Sequence, residues 1–353
     1  MDDAGDRNPE HVVGDRQVIV AVTSTAHPTR AHAAGSVRRR ATRALGGELQ
    51  QFILRRVGQT VLVLFCVATL TFFLVRLTGD PVQAMLPPEA TIAQEQALRQ
   101  ALGLDRPVFV QYVSYLSGIL HLDFGQSLFF HQPAFDLIVQ RLPATIELGA
   151  GALVFALLVA IPAGIIAAVK RGSAADSSVV AGVLVGQSTP AFFVGIILIL
   201  VFAVNLHWLP ASGRGGFDHL ILPAITLGLY SMAMIARLLR SSLIDVLSED
   251  YIRTARSKGL SRWQVIRDHG LQNAALPVVT IIGLEIGSLL GGAILTEQVF
   301  SWPGVGRLTV EAITNRDFPL MQAIVLFLSV IFVVTNLIVD IAYAFLDPRV
   351  RLS

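Results

Sequence analysis

The sequence predicts an all-α, polytopic membrane protein with six transmembrane helices, on three observations. The 353-residue chain is 53% hydrophobic and 15% charged, with a mean hydropathy of +0.63. A soluble core of this size carries roughly a quarter charged residues. Six apolar runs, near 57–77, 144–169, 178–204, 221–239, 277–296 and 320–345, are each long enough to cross a bilayer, which takes about 20 residues. The third observation is charge asymmetry. With the N-terminus in the cytoplasm, cytoplasmic segments hold 20 of the 27 Lys and Arg residues: nine before the first span, Lys170 and Arg171, seven from Arg237 to Arg267, and Arg349 and Arg351. The positive-inside rule then puts both termini in the cytoplasm.

Residues 1–50 are rich in Arg, Ala, Gly, Asp and His without periodicity, and read as a disordered basic arm. Its cluster Arg38, Arg39, Arg40 and Arg43 lies close to the membrane. The first span, 57–77, contains the lone cysteine, Cys66, so no intrachain disulfide forms. An external region, 78–142, comes next. Within it Thr91–Leu102 places Ala93, Ala97, Leu98, Ala101 and Leu102 on one face of a short helix that Gly103 ends. Val108–Leu120 reads as a second apolar helix with Phe109, Tyr112 and Tyr115; its 13 residues are too short to cross, so it should lie at the outer surface. In the later spans Pro162, Pro190 and Pro223 are expected to kink helices whose freed carbonyls find other partners. The long third and sixth runs should tilt.

The loop 240–276, between the fourth and fifth spans, is polar and basic and carries the signals of a helix–turn–helix. Gly259 suits the left-handed residue that ends a helix, with Lys258 favourable in the last turn. Ser261 and Gln264 have the Ser-x-x-Gln spacing of a capping box, which starts a second helix. In the fifth span Gly283, Gly287 and Gly291 recur every fourth residue, a stripe that permits close helix packing within the subunit or against another. Glu285 is the ninth residue of that span, about 12 Å deep at 1.5 Å per residue. A charge there needs a partner or a polar cavity. On helical geometry it points away from the glycine stripe and shares a face with Ser288, so both are candidate pathway-lining residues, with a structural hydrogen bond as the alternative.

The stretch Arg253-Thr254-Ala255-x-x-x-Gly259 resembles the "EAA" loop of ABC importer permeases, with Arg253 where that pattern has Glu. Tyr251-x-x-Thr254-Ala255-Arg256-x-Lys258-Gly259, followed by Leu271-x-Asn273-Ala274-x-Leu276-Pro277, resembles the version found in dipeptide and oligopeptide importers. Further elements in the family's order are Arg76–Pro81, Asp123-Phe124-Gly125-x-Ser127, Arg141–Thr145, Phe300–Gly306, Asn336–Asp340 and Asp347–Arg349. The resemblance covers roughly residues 50–353, to the first permease subunit of such an importer.

That resemblance implies a type I importer permease in a bacterial inner membrane. It would form half of a heterodimeric pathway with a second homologous permease. Two cytoplasmic P-loop ATPases would bind it, and a substrate-binding protein would dock outside. Tyr251, Arg253, Thr254, Ala255, Arg256, Lys258, Gly259 and Ser261 would form the coupling helix and its cap against an ATPase. ATP and Mg would belong to those partner subunits, since neither Lys170 nor Lys258 lies in a phosphate-binding Gly-x-x-x-x-Gly-Lys-Ser/Thr. The chain itself shows no catalytic constellation, metal-ligand spacing, cofactor motif or nucleic-acid motif, so it reads as non-catalytic. Relatives of this shape also move nickel or glutathione, which leaves the solute open. A stand-alone secondary transporter is the other reading; it would call for inverted repeats and paired intramembrane acids, whereas Glu285 is the one deep acid here.

Overall fold

The computed structural model describes residues 30–77, 82, 91–101 and 103–346. The chain divides into two compact units, Met1–Gln50 and Gln51–Ser353, each taken by itself. Residues 1–29 of the expected arm lie outside the described residues. From Arg30 the chain is helical rather than unstructured. Its Ala- and Arg-rich sequence has good intrinsic helix propensity even without an apolar stripe.

The helices are α1 (Arg30–Leu77), α2 (Ile92–Ala101), α3 (Val108–Leu120), α4 (Ala134–Val169), α5 (Ala174–Ser188), α6 (Ala191–Leu198), α7 (Phe217–Leu247), α8 (Asp250–Ser257), α9 (Arg262–Gln264), α10 (Leu271–Val299), α11 (Val305–Thr314) and α12 (Phe318–Leu346). Wider π-helical turns, Ile199–Asn205 and Val265–Gly270, continue α6 and join α9 to α10. Among the described residues, five segments are long and apolar enough to cross a membrane: Ile53–Leu74, Ala134–Val169, Phe217–Leu247, Arg262–Leu289 and Phe318–Val339.

The third expected span is different. Instead of one tilted helix over 178–204, α5 and α6 meet at a 105° bend. The cause is local. Pro190 has no N–H to continue the ladder, and its ring pushes Thr189 to extended backbone, φ −92° and ψ 127°. The pair is either a broken span or a re-entrant element, so the count of six holds only if it crosses as one. By contrast, α4 runs through Pro143 and Pro162 without a break, as α7 does through Pro223.

A stripe in α4 that the sequence reading missed explains how the bundle is held. Leu148, Ala152, Ala156, Ala160, Gly164 and Ala168 recur every fourth residue and are all buried. They let the backbone of α4 approach α7. Gly228 of α7 sits directly on the Ala152 carbonyl, and a Cβ on Gly164 would stand 3.0 Å from the Ala236 carbonyl. Small residues make such an approach possible, and membrane helices associate through it rather than through hydrophobicity. Gly228→Ala is therefore expected to prise α4 from α7, costing about 1–3 kcal/mol as overpacking does. It should appear as a lower melting temperature and reduced membrane abundance.

On α10 the predicted glycine stripe splits. Gly283 packs on Val339 of α12, its would-be Cβ 2.6 Å from Cγ1, and Gly287 lies against Phe332, 3.3 Å from Cδ2. Gly291 has nothing within 4 Å and faces outward. The helices α4, α7 and α10 each run between two ends of the bundle: one holds α8 and α9, the other α11.

Candidate coupling site and the cluster at the opposite end

Following α7, residue Ser248 ends the long helix and Glu249 takes extended backbone, so the chain turns into α8. Two residues of α8 are buried, Ile252 and Ala255, three apart and hence on one face. They pack on Val265 with Leu247 alongside. The other face is exposed and basic: Tyr251, Arg253, Thr254, Arg256 and Lys258. Of the expected contact residues, Ala255 is thus corrected. It braces the helix from beneath and is not on the presented face.

The predicted turn is present. Gly259 adopts φ +81°, the left-handed region, with open space where a Cβ would stand. The Ser261–Gln264 capping box is complete: the Gln264 backbone N–H donates to Ser261 Oγ at 3.4 Å, and the Ser261 N–H donates to Gln264 Oε1 at 3.0 Å. Two contacts tie this unit to the spans. Arg262 Nη2 donates to the Val169 carbonyl at the end of α4, 2.8 Å away, and Asn273 of α10 donates to the Tyr251 hydroxyl at 3.0 Å. Near the same end, Arg240 of α7 makes a two-pronged ion pair with the buried Asp176 of α5, at 2.6 and 2.8 Å. Displacement of α8 therefore reaches α4, α7 and α10 through packed or bonded contacts rather than through slack chain.

Midway along α10, Glu285 is 7% exposed and accepts a hydrogen bond from Ser231 Oγ of α7. The structure thus places it inside the bundle, facing α7, while Gly283 and Gly287 face α12. This bears out the geometric argument that Glu285 points away from the glycines. Ser288 does not join it and is exposed.

The opposite end holds a cluster that sequence reasoning did not single out. Glu297, at the end of α10, is fully buried. Its carboxylate accepts from Thr145 Oγ1 of α4 at 2.7 Å and from the Arg307 backbone N–H in the first turn of α11 at 2.9 Å. The Thr145 hydroxyl oxygen in turn accepts from Val305 N–H at 2.8 Å, and Trp302 Nε1 donates to the Ala144 carbonyl at 2.8 Å. Glu297 is thus a remote cap for α11, its carboxyl oxygens accepting from a backbone N–H that the first helical turn leaves unpaired. Gly304 is required here because a Cβ would collide with the carboxylate. Nearby, Asp317 accepts from Ser127 Oγ and from the N–H groups of Phe129 and Leu320, fastening the 127–133 loop to α12. The quoted elements Asp123–Ser127, Arg141–Thr145 and Phe300–Gly306 thus belong to one cluster at this end. The missing signal was the carboxylate three residues before Phe300.

Burial pushes the Glu297 carboxyl above its ordinary range, outweighing the lowering effect of its hydrogen bonds from Thr145, Arg307 and Gly306 and of the Arg141 charge. A carboxyl whose folded pKa exceeds the unfolded one adds stability below the unfolded pKa and loses it as pH rises through the folded one. The protein is expected to lose melting temperature across that interval, and Glu297→Gln to flatten that part of the profile.

Among the described residues there is no group of three or more His, Cys, Asp or Glu placed to hold a metal ion.

Residues 160–352 match the family described as binding-protein-dependent transport system inner membrane component, and residues 49–149 match its N-terminal companion. The chain belongs to that family. It is 43% identical over 334 residues to the dipeptide transport system permease protein DppB of Escherichia coli (strain K12), covering 85% of this chain and 98% of that one. It is 44% identical over 301 residues to the glutathione transport system permease protein GsiC of the same strain, with the same coverage. A solved structure of the MetNI methionine ABC transporter in an inward facing conformation aligns with TM-score 0.48 and 18% identity, over 58% of this chain and 93% of that chain. This family member is a multi-pass ABC importer permease, and both quoted ends of the bundle lie within the matched residues.

Proposed function

We propose that this chain is one of two permease subunits of an ATP-driven importer for dipeptides or short oligopeptides, and that α8 is its coupling helix. The observation that carries the reading is the α8–Gly259–α9 unit. It is a short helix with a basic face presented outward and a braced underside, bonded to α4 and α10. A loop serving only as a connector needs neither the brace nor the complete capping box. The asymmetry of Lys and Arg supports a cytoplasmic location for that end and for both termini. A P-loop ATPase seated on Tyr251, Arg253, Arg256 and Lys258 would then move the spans when ATP closes the ATPase pair. A second, homologous permease would complete the pathway against the outward face of α10 that carries Ser288 and Gly291, and a substrate-binding protein would dock at the α11 end. ATP and Mg would be held by the ATPases.

Peptide uptake is favoured by the similarity to the dipeptide permease; the comparable similarity to the glutathione permease keeps glutathione as a second reading. The test is uptake into vesicles holding the complete transporter, with labelled dipeptide or glutathione and ATP. ATP-dependent accumulation of dipeptide, not competed by glutathione, is the expected result. ATP-independent uptake driven by an ion gradient would overturn the proposal.

The buried position of Glu285 adds a narrower expectation. Glu285→Gln should keep abundance and leave the uptake ratio of Lys-containing to Ala-containing dipeptides unchanged, because the group faces Ser231. A changed ratio would show that it meets the solute.

A further inference from the structure

We propose that α3 is an interfacial helix whose Phe109, Val113 and Leu120 side chains are embedded in the bilayer surface beside α1. Three observations lead there. First, α3 presents three different sides. At about 100° per residue, Tyr112 and Tyr115 share one sector, Phe109, Val113, Leu116 and Leu120 fill a second roughly 60° wide, and Ser114 and Ser117 mark a third. Most of the second sector is open: Phe109 is 74%, Val113 49% and Leu120 84% exposed, while Leu116 at its edge is half-buried. Ser114 and Ser117 are also exposed, with Val110, 41% exposed, between them. A helix with one side on protein, one apolar and open, and one polar and open fits the boundary between acyl chains and water, where such helices lie in the plane of the membrane.

Second, the protein side of α3 fixes its depth. Thr69 Oγ1 of α1 shares a hydrogen bond with the Tyr112 hydroxyl at 2.7 Å, and the Phe72 ring centroid lies 5.1 Å from that of Tyr112 and 5.4 Å from that of Tyr115. These contacts are made by the last two turns of the apolar segment Ile53–Leu74, where a span reaches the headgroups. Arg76 marks the same level. Its guanidinium lies 3.4 Å from the Phe72 ring centroid, donates to the Phe72 carbonyl and to Gln111 of α3, and so keeps its charge at the interface. Tyrosines beside such an arginine are the composition of an interfacial belt.

Third, the open apolar sector continues a lipid-facing surface. Phe73 of α1 packs against Tyr112 with ring centroids 5.9 Å apart and is itself exposed, as is Leu77. The 13-residue α3 is too short to cross, and its exposed Ser114 and Ser117 hydroxyls are best served at the water boundary. The occupant of the apolar sector is therefore lipid. α3 would brace the outer end of α1 laterally against the bilayer.

The test places nitroxide labels at Phe109→Cys, Val113→Cys, Ser114→Cys and Ser117→Cys in a Cys66→Ser background. The full transporter is reconstituted in phosphatidylethanolamine and phosphatidylglycerol vesicles. Collisions with oxygen, enriched in lipid, and with a water-soluble nickel chelate are then compared. The oxygen-to-nickel ratio is expected to be several-fold higher at 109 and 113 than at 114 and 117. Two results would overturn the proposal. Equal, nickel-dominated values would put the helix in water. Poor access of both reagents at 109 and 113 would mean that a protein, the second permease or a binding protein, covers the sector. If the Phe109 variant fails to accumulate, the Val113 label reads the same sector alone.

Discussion

Glu297→Ala is expected to destabilise the α11 end more than any other single truncation there. The carboxylate takes donors from α4 and α11, and its removal leaves the Thr145 hydroxyl and the Arg307 N–H without that acceptor in a site closed to water. Each buried donor left unpaired costs about 1–3 kcal/mol, and the emptied volume adds a cavity cost. The prediction is a large fall in melting temperature in detergent and low membrane abundance. Glu297→Gln should lose less, since its carbonyl still accepts one bond while its amide faces a donor. If Glu297→Ala accumulates and melts like the parent, the carboxylate is not the cap that holds α11.

Gly259→Val should behave in the opposite way, with normal abundance and failed uptake. Nothing lies within 4 Å of the missing Cβ, so the substitution meets no neighbour. The whole effect is conformational. At φ +81° a β-branched residue is strained by about 1–3 kcal/mol. The exposed turn relieves that strain by swinging α8 away from the α9 cap. Gly259→Asn is the control, because Asn tolerates the left-handed region, and it should keep most of the uptake. Uptake at the parental rate in the Val variant, measured at matched abundance, would remove Gly259 as the hinge.

The contrast shows what the sequence could reveal. Local signals were legible. A glycine needing positive φ and a Ser-x-x-Gln cap are each fixed by neighbours in the chain, and the structure has both where the sequence puts them. The helical argument that set Glu285 opposite Gly283 and Gly287 also holds, because one helix fixes that angle.

Features set by a partner far along the chain were not legible. Glu297 and Thr145 are 152 positions apart, and only the fold brings them together. Ala255 reads as part of an exposed motif until Val265 is seen packed beneath it. The 105° bend at Thr189–Pro190 lay between these cases. The proline was visible, but whether a membrane helix kinks, tilts or breaks there depends on what neighbouring helices offer its freed backbone.

The central claim is that α8 is the surface an ATPase grips. A photo-activated crosslinking residue at Arg256, exposed on α8, tests it directly in intact membranes, with Ser117 on α3 as the control position. The account predicts capture of a P-loop ATPase from Arg256, altered by ATP, and none from Ser117. No ATPase adduct at Arg256 in a transporter that still takes up its solute would contradict it.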